Sequence, residues 1–257
     1  MVLRICTIDN LSAAAYRLAA PRFAAVIDAA PPAECYRRMR AGVCDAALIP
    51  AARLHDFPMP LTLPGPFGIA CGGPVHSVLL FSDVPVEVLA LEQRAVHATN
   101  KSETSRRLLN ELFKIAFGRV PRLAQTAKKA SAQLLIGDDA VREYNRIGCR
   151  AYVYDLSAWW HRLTGLPFVF GRWVARPDLR REERCALKNW LKENAVLAES
   201  SLGRGRLVQR GLRFGYKPAF LTRYYRDVRP RLTMEDLAGL DMFLGLLTME
   251  TPCDKIA

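Results

Sequence analysis

Val153-Tyr154-Asp155-Leu156-Ser157-Ala158-Trp159-Trp160-His161-Arg162-Leu163-Thr164-Gly165-Leu166-Pro167-Phe168-Val169-Phe170-Gly171-Arg172-Trp173 carries the signals that decide the fold. Asp155 stands at the head of an aromatic helical run, where a carboxylate caps the free N–H groups of a first turn. The run stops at Thr164-Gly165, turns at Leu166-Pro167, and enters a strand of Phe, Val and Trp. Upstream, Leu134-Leu135-Ile136-Gly137-Asp138-Asp139-Ala140 reads as an apolar strand ending in Gly-Asp-Asp at a helix start. Open α/β sheets hold ligands at the carboxyl ends of their strands, where such turns expose backbone donors. The chain therefore reads as an α/β ligand-handling protein with a hinge at Gly165–Pro167.

Working outward, Leu3–Ile8 reads as a strand, followed by Asp9-Asn10 and a helix from Ser12 to Ala19. Arg22–Asp28 is a second strand. Pro31-Pro32 opens a helix to Arg40 that stops at Ala41-Gly42, and Asp45–Pro50 is a third strand. This β-α-β-α-β order implies parallel pairing with right-handed crossovers. The Gly- and Pro-rich segment Gly65–Gly73 leads to a strand at Ser77–Ser82, a short turn or helix at Pro85–Leu91, and a strand at Ala95–Thr99. Ser102-Glu103-Thr104-Ser105 caps an amphipathic helix over Arg106–Phe117. Asp139–Ile147 and Arg180–Ser200 read as helices, Gly203–Gly205 as a turn, and Thr233 with Asp236 as the box that starts a last helix ending near Leu247. Residues 251–257 are expected to fray. The order fits two parallel α/β lobes, residues 1–92 plus 170–257 and residues 93–169, with a ligand cleft between them.

Composition narrows the class. The 257 residues are 51% hydrophobic and 24% charged, ordinary for a soluble globular protein, and suffice for one large core or two modest ones. No apolar run is long enough for a membrane span. The N-terminus enters a strand at once, without the layout of a signal peptide, which points to the cytoplasm. Seven scattered cysteines with no Cys-x-x-Cys spacing read as reduced buried thiols rather than a disulfide frame or zinc site. The net charge of +12 concentrates in 142–150, 172–184 and 204–231. No recognition helix, zinc pattern or glycine-flanked aromatic motif accompanies it, so a solvated basic surface or steering of a small polyanion fits better than nucleic-acid binding.

Several segments together resemble a known family. They are 42–50 (Gly-Val-Cys-Asp-Ala-Ala-Leu-Ile-Pro), 73–82 (Gly-Gly-Pro onward to Leu-Leu-Phe-Ser), 104–109, 134–138, 155–173, and Leu232-Thr233 with Gly239-Leu240 and Phe243. Over nearly its whole length the chain resembles the chorismate dehydratases of the futalosine route to menaquinone. The Ile-Gly-Asp and Thr-Gly-Leu-Pro-Phe-Val-Phe segments are the specific ones. The resemblance implies a type-2 periplasmic-binding-protein fold working in the cytoplasm. It also implies dehydration of chorismate to 3-[(1-carboxyvinyl)oxy]benzoate, with loss of the C3 proton and the C4 hydroxyl. Such an enzyme holds two carboxylates, orients the C3–H and assists hydroxide departure, and it calls for no metal or other cofactor. The expected partner is one small dicarboxylate, with no nucleic acid and no membrane, and the chain is a monomer or a homodimer.

The resemblance also nominates residues. Asn10 matches the asparagine of the family's Asn-x-x-Pro motif and is the catalytic candidate. An amide is a poor base, so it would orient or polarise while a substrate carboxylate or water takes the proton; otherwise Asn10 is a helix cap. Ser77 would donate to a carboxylate, or be a strand-end hydroxyl satisfied locally. Ser102, Thr104 and Ser105 form either an anion site or a plain capping box. Gly137 would allow close backbone approach, and Asp138 is a helix cap or an acid near the leaving hydroxyl. His76, His97 and His161 read as packing or surface residues, and the aromatic residues from Trp159 to Trp173 as core. The stretch Thr7-Ile8-Asp9-Asn10-Leu11-Ser12-Ala13 departs from the family, with its aromatic and proline missing and an acid before the asparagine. Asp9 is a candidate base, a charge that repels an anionic substrate, or a side chain that points away. The competing readings are a cytosolic small-anion binding protein or sensor of the same fold and the sister enzyme dihydroxynaphthoate synthase. The latter ranks lower because its Ser-Pro-Cys-Pro-Asn-Asp segment is not present.

Overall fold

The computed structural model describes residues 2–57, 61–146 and 150–249. Cys149, Cys253, Ile147 and the segment expected to fray at 251–257 lie outside the described residues. In chain order the strands are β1 (Leu3–Ile8), β2 (Ala25–Ala30), β3 (Ala46–Pro50), β4 (Phe67–Cys71), β5 (Val78–Ser82), β6 (Val96–Ala98), β7 (Ala132–Ile136), β8 (Tyr152–Asp155), β9 (Phe168–Ala175) and β10 (Val228–Arg231). The α-helices are α1 (Pro32–Arg40), α2 (Val86–Leu91), α3 (Glu103–Phe117), α4 (Gly137–Tyr144), α5 (Leu156–Thr164), α6 (Arg181–Glu199), α7 (Ser201–Leu212), α8 (Pro218–Asp227) and α9 (Met234–Thr248).

The chain forms two compact units, Met1–Cys71 with Val169–Leu237, and Gly72–Phe168 with Ala238–Ala257. The first boundary falls at Cys71 rather than at residue 92, because β5 pairs with β7 and β8 in the second unit's sheet. The end of α9 joins that unit too.

The first unit is built on a six-stranded sheet of order β10-β4-β9-β3-β1-β2. β1 pairs in parallel with β2, from Leu3↔Ala25 to Ile8↔Ala30, and in parallel with β3. Pro32 opens α1 and Gly42, with φ +67, follows its last turn in the left-handed conformation that glycine tolerates. β9 and β10 run antiparallel to their partners β3 and β4. The second unit's sheet has order β6-β7-β5-β8, with β6 parallel to β7 and β5 antiparallel to both β7 and β8. The expectation of wholly parallel lobes is therefore corrected. The βαβ rule governs consecutive strands joined by a crossover helix, whereas β9 reaches its sheet from the second unit and β10 from the helices α6–α8.

Buried aromatic residues fill both cores. In the first unit Tyr16 and Trp190 pack edge-on against Trp173, with ring centroids 5.3 and 5.9 Å away, and the Tyr16 hydroxyl donates to the Gly68 and Pro230 carbonyls. In the second, Trp160, Phe168 and Phe243 form a mutually edge-on trio, fully buried. The aromatic residues of the 153–173 stretch are thus mainly core, as read from the sequence.

The buried carboxylate of Asp45 ties β1 to β3 and β9. It accepts from the Arg4 backbone N–H at 2.7 Å and pairs with the Arg4 and Arg176 guanidiniums at 3.1 and 3.3 Å. Burial alone would raise its pKa, but the hydrogen bonds and charge of Arg4, with Arg176, outweigh it and hold the carboxyl below its ordinary value. A group depressed on folding stabilises above its unfolded pKa and loses that contribution as pH falls through the folded one. Asp45→Ala is expected to cost about 2 kcal/mol near neutral pH, less than a fully enclosed pair because the Arg4 side chain is half exposed. Urea titrations at neutral and strongly acid pH test this, and the gap between wild type and variant should narrow in acid.

Candidate active site

Strand directions gather the second unit's candidate residues at one sheet edge. β6 and β7 run parallel, so the segment around Ser102 and the segment from Gly137 leave from the same ends. β5 is antiparallel to β7, which puts its entrance, preceded by Ser77, in register with Ile136 at the exit of β7. β8 is antiparallel to β5, so Asp155 and the start of α5 arrive there as well. Ser77, Ser102–Ser105, Gly137 and Asp155 thus converge through topology alone, at the carboxyl ends of β6, β7 and β8.

The bonding within this edge is specific. The Ser102 hydroxyl caps α3 by accepting from the Ser105 backbone N–H at 3.1 Å, and lies 3.0 Å from the Ser105 hydroxyl. Thr104 and Ser105 are buried. Capping thus accounts for Ser102, while α3 still presents the positive end of a fifteen-residue dipole. The Ser77 hydroxyl donates to the Val75 carbonyl at 3.3 Å, the local satisfaction weighed above. Gly137 donates its N–H to the Ser77 carbonyl at 2.7 Å and has φ +54, with open space where a Cβ would stand. The glycine is required by its left-handed backbone, not by crowding.

Asp138 is corrected as a cap. The N-cap position of α4 is Ile136, which offers no side-chain acceptor, and Asp138 sits exposed within the first turn. Neighbouring Asp139 instead bridges Lys101 at 2.5 Å and Arg142 at 2.6 Å, linking the approach to α3 with the start of α4.

Asp155 caps α5, as its sequence position predicts, and also binds the turn before β5. Oδ1 accepts from the Ser157 and Ala158 N–H groups at 3.0 and 3.1 Å, and Oδ2 from the His76 N–H at 2.6 Å. His76 adopts φ +60, rare for a residue with a side chain. Asp155 therefore holds in place the turn that delivers Ser77. Burial pushes its carboxyl up, against the opposing pull of the Ala158, His76 and Val75 backbone N–H groups. Asp155→Ala should cost about 2 kcal/mol from the lost cap and the stranded His76 N–H, measured as a fall in thermal midpoint. The spacing from β5 to β8 held no signal for this bond, because it joins residues far apart in sequence.

Asn10 follows β1 in the first unit and is exposed. Its Oδ1 accepts from the Ser12 hydroxyl at 2.7 Å and the Ala13 N–H at 3.1 Å, a local turn just ahead of the single 3-10 turn at Ala14–Arg17, which has no side-chain cap and stands where the sequence predicts a helix to Ala19. A backbone N–H can only donate, which fixes the amide orientation and leaves Nδ2 as the outward atom. Asp9 is also exposed. Among the histidines, His97 lies 3.2 Å from the Ala124 carbonyl and His161 is exposed, as expected of packing and surface residues. Among the described residues no three His, Cys, Asp or Glu side chains are grouped to hold a metal ion, and no helix is long and apolar enough to cross a membrane.

The architecture is that of the periplasmic binding proteins. A ligand-binding component of an ABC-type import system from Staphylococcus aureus superposes with a TM-score of 0.62 at 11% identity, over 98% of this chain and 94% of that one. A Candida albicans protein of the generic periplasmic-binding-protein fold gives a TM-score of 0.62 at 8% identity, over 99% and 92%. At these identities the likeness concerns fold alone. Sequence goes further. Residues 9–248 match the menaquinone biosynthesis family, and a chorismate dehydratase of Thermus thermophilus is 31% identical over 241 residues, covering 85% of each chain. The chain belongs to the menaquinone biosynthesis family.

Proposed function

We propose that the chain is a hydro-lyase that converts chorismate to 3-[(1-carboxyvinyl)oxy]benzoate and water, in the cytoplasm, on the futalosine route to menaquinone. The likeness to the Thermus thermophilus chorismate dehydratase across 85% of both chains carries this reading. The chemistry is balanced by the substrate itself. The C3–H bond and the C4–O bond break, a ring double bond forms, and hydroxide leaves with the proton as water. Aromatisation supplies the driving force, so the protein's task is to position and polarise.

The residues divide along those lines. We assign a substrate carboxylate to the second unit's edge, where the first turn of α3 and the Ser102, Thr104 and Ser105 hydroxyls concentrate donors, with Ser77 and Gly137 beside them. Asn10 is assigned to the reacting carbons. Its Oδ1 is engaged by Ser12 and Ala13, so it acts through Nδ2, donating to the departing hydroxide rather than taking the proton. A substrate carboxylate or Asp9 receives the proton. Asp138, exposed in the first turn of α4, is assigned as a further candidate acid.

Incubating the purified protein with chorismate and following ring aromatisation by absorbance and mass tests the reading. Loss of one water from the substrate is expected. Saturable chorismate binding without product would make the chain a binding protein or sensor, and no binding at all would remove chorismate.

A further inference from the structure

The first unit contains a cavity of about 170 Å³ whose polar wall is formed by Ser12, Glu199, Arg204, Tyr225, Arg226 and Arg229. Three arginines face a single carboxylate. That carboxylate, Glu199, is already paired with Arg231 at 3.0 Å, and Arg226 and Arg229 are paired with Asp227 and Asp236 at 2.8 and 2.5 Å. Arg204 has no ion pair among the described residues. Two further cations, Arg17 and Arg210, lie close enough to Tyr225 to act on its phenol, and Arg210 donates to the Arg17 carbonyl at 3.4 Å.

The cavity also holds orphaned donors. The Tyr225 hydroxyl is buried, its residue only 8% exposed, and makes no hydrogen bond. The same is true of Arg229 Nε and of Arg17 Nε beside it. Burial, with Tyr224 next to it, pushes the Tyr225 phenol well above its ordinary pKa, so the group stays protonated and presents a donor. Buried polar atoms in native proteins nearly always have partners. Here every orphan is a donor in an electropositive setting, and the complement of that set is an anionic acceptor. The volume equals about five or six waters at roughly 30 Å³ each, enough for one tetrahedral oxyanion with some solvent.

We propose that this cavity is a binding site for a small phosphate-type oxyanion, held by the Tyr225 hydroxyl, Arg204 and Arg229. The site lies wholly within the first unit and does not depend on the dehydratase reading. It adjoins Asn10, because Ser12 donates to Asn10 Oδ1 at 2.7 Å and Arg17 to the Asn10 carbonyl at 3.4 Å. An anion that draws on Ser12 or Arg17 therefore acts on the Asn10 loop.

Calorimetric titration of the full chain with inorganic phosphate at low ionic strength tests the site. Wild type should bind saturably, and Tyr225→Phe, which keeps the ring and removes no existing hydrogen bond, should weaken binding roughly tenfold or more. Arg204→Gln, at an exposed helical position, should also weaken it. Ser102→Ala, in the second unit, should bind phosphate as wild type does. The proposal is overturned if phosphate does not bind saturably, or if Tyr225→Phe binds as wild type. It is equally overturned if Ser102→Ala abolishes binding, since the phosphate would then sit at the second unit's edge.

Discussion

Asn10→Ala is expected to lower the turnover of chorismate by roughly 10²–10³-fold, the scale of losing one donor aimed at developing oxyanion charge. Stability should fall by only about 1 kcal/mol, because the exposed amide makes only local bonds, to the Ser12 hydroxyl and the Ala13 N–H. Asn10→Asp separates the two roles. A carboxylate keeps the acceptor facing the Ala13 N–H but replaces the outward Nδ2 donor with an acceptor, so the turn should survive while turnover is lost. Steady-state rates and thermal midpoints on the same preparations decide it. Unchanged rates in either variant would remove Asn10 from the mechanism and turn attention to Asp9.

Gly239→Ala should be strongly damaging to the fold. A Cβ at this position of α9 would stand 2.0 Å from the Pro167 carbonyl oxygen, with Leu166 Cβ at 3.5 Å. That carbonyl also accepts from Trp160 Nε1 at 3.2 Å, so it cannot retreat without giving up a buried bond. Overpacking against backbone is expected to cost about 3 kcal/mol or more, read as a drop in denaturation midpoint. Gly239→Ala with wild-type stability would show that α9 does not press on the Leu166-Pro167 turn.

That contact shows how far the sequence could be read. The 153–173 stretch announced its cap, its glycine stop and its strand, and α5, Gly165 with φ +73, and β9 follow that plan. β1, α1, β3, α3 and the Thr233–Asp236 box at α9 were equally legible, because local pattern and final structure agree there. The misses have physical causes. β4 lies inside the Gly- and Pro-rich segment 65–73, whose composition reads as loop although all five strand residues are buried. β10, Val-Arg-Pro-Arg, carries a proline and two arginines, tolerable because it is a sheet edge with an irregular register between Arg229 and Arg231. Gly203 was read as a turn but lies in α7, where a Cβ would stand 1.8 Å from the Leu197 carbonyl. Close packing, not flexibility, explains that glycine.

The candidate site was legible as chemistry but ambiguous as role. The hydroxyl that caps α3 by accepting from the Ser105 N–H is of the same kind that would donate to an anion, so no sequence pattern could separate the two uses at Ser102. The basic stretches fit the solvated surface expected of them in part. Arg142, Arg146 and Arg150 each pair with a nearby carboxylate at the surface, and exposed pairs of this kind contribute about 0–1 kcal/mol apiece.

A crystal structure of the protein with bound 3-[(1-carboxyvinyl)oxy]benzoate tests the central claim most directly. One carboxylate should lie within hydrogen-bonding distance of the first turn of α3 and the Ser102, Thr104 and Ser105 hydroxyls. A ligand seated away from that turn would contradict the account.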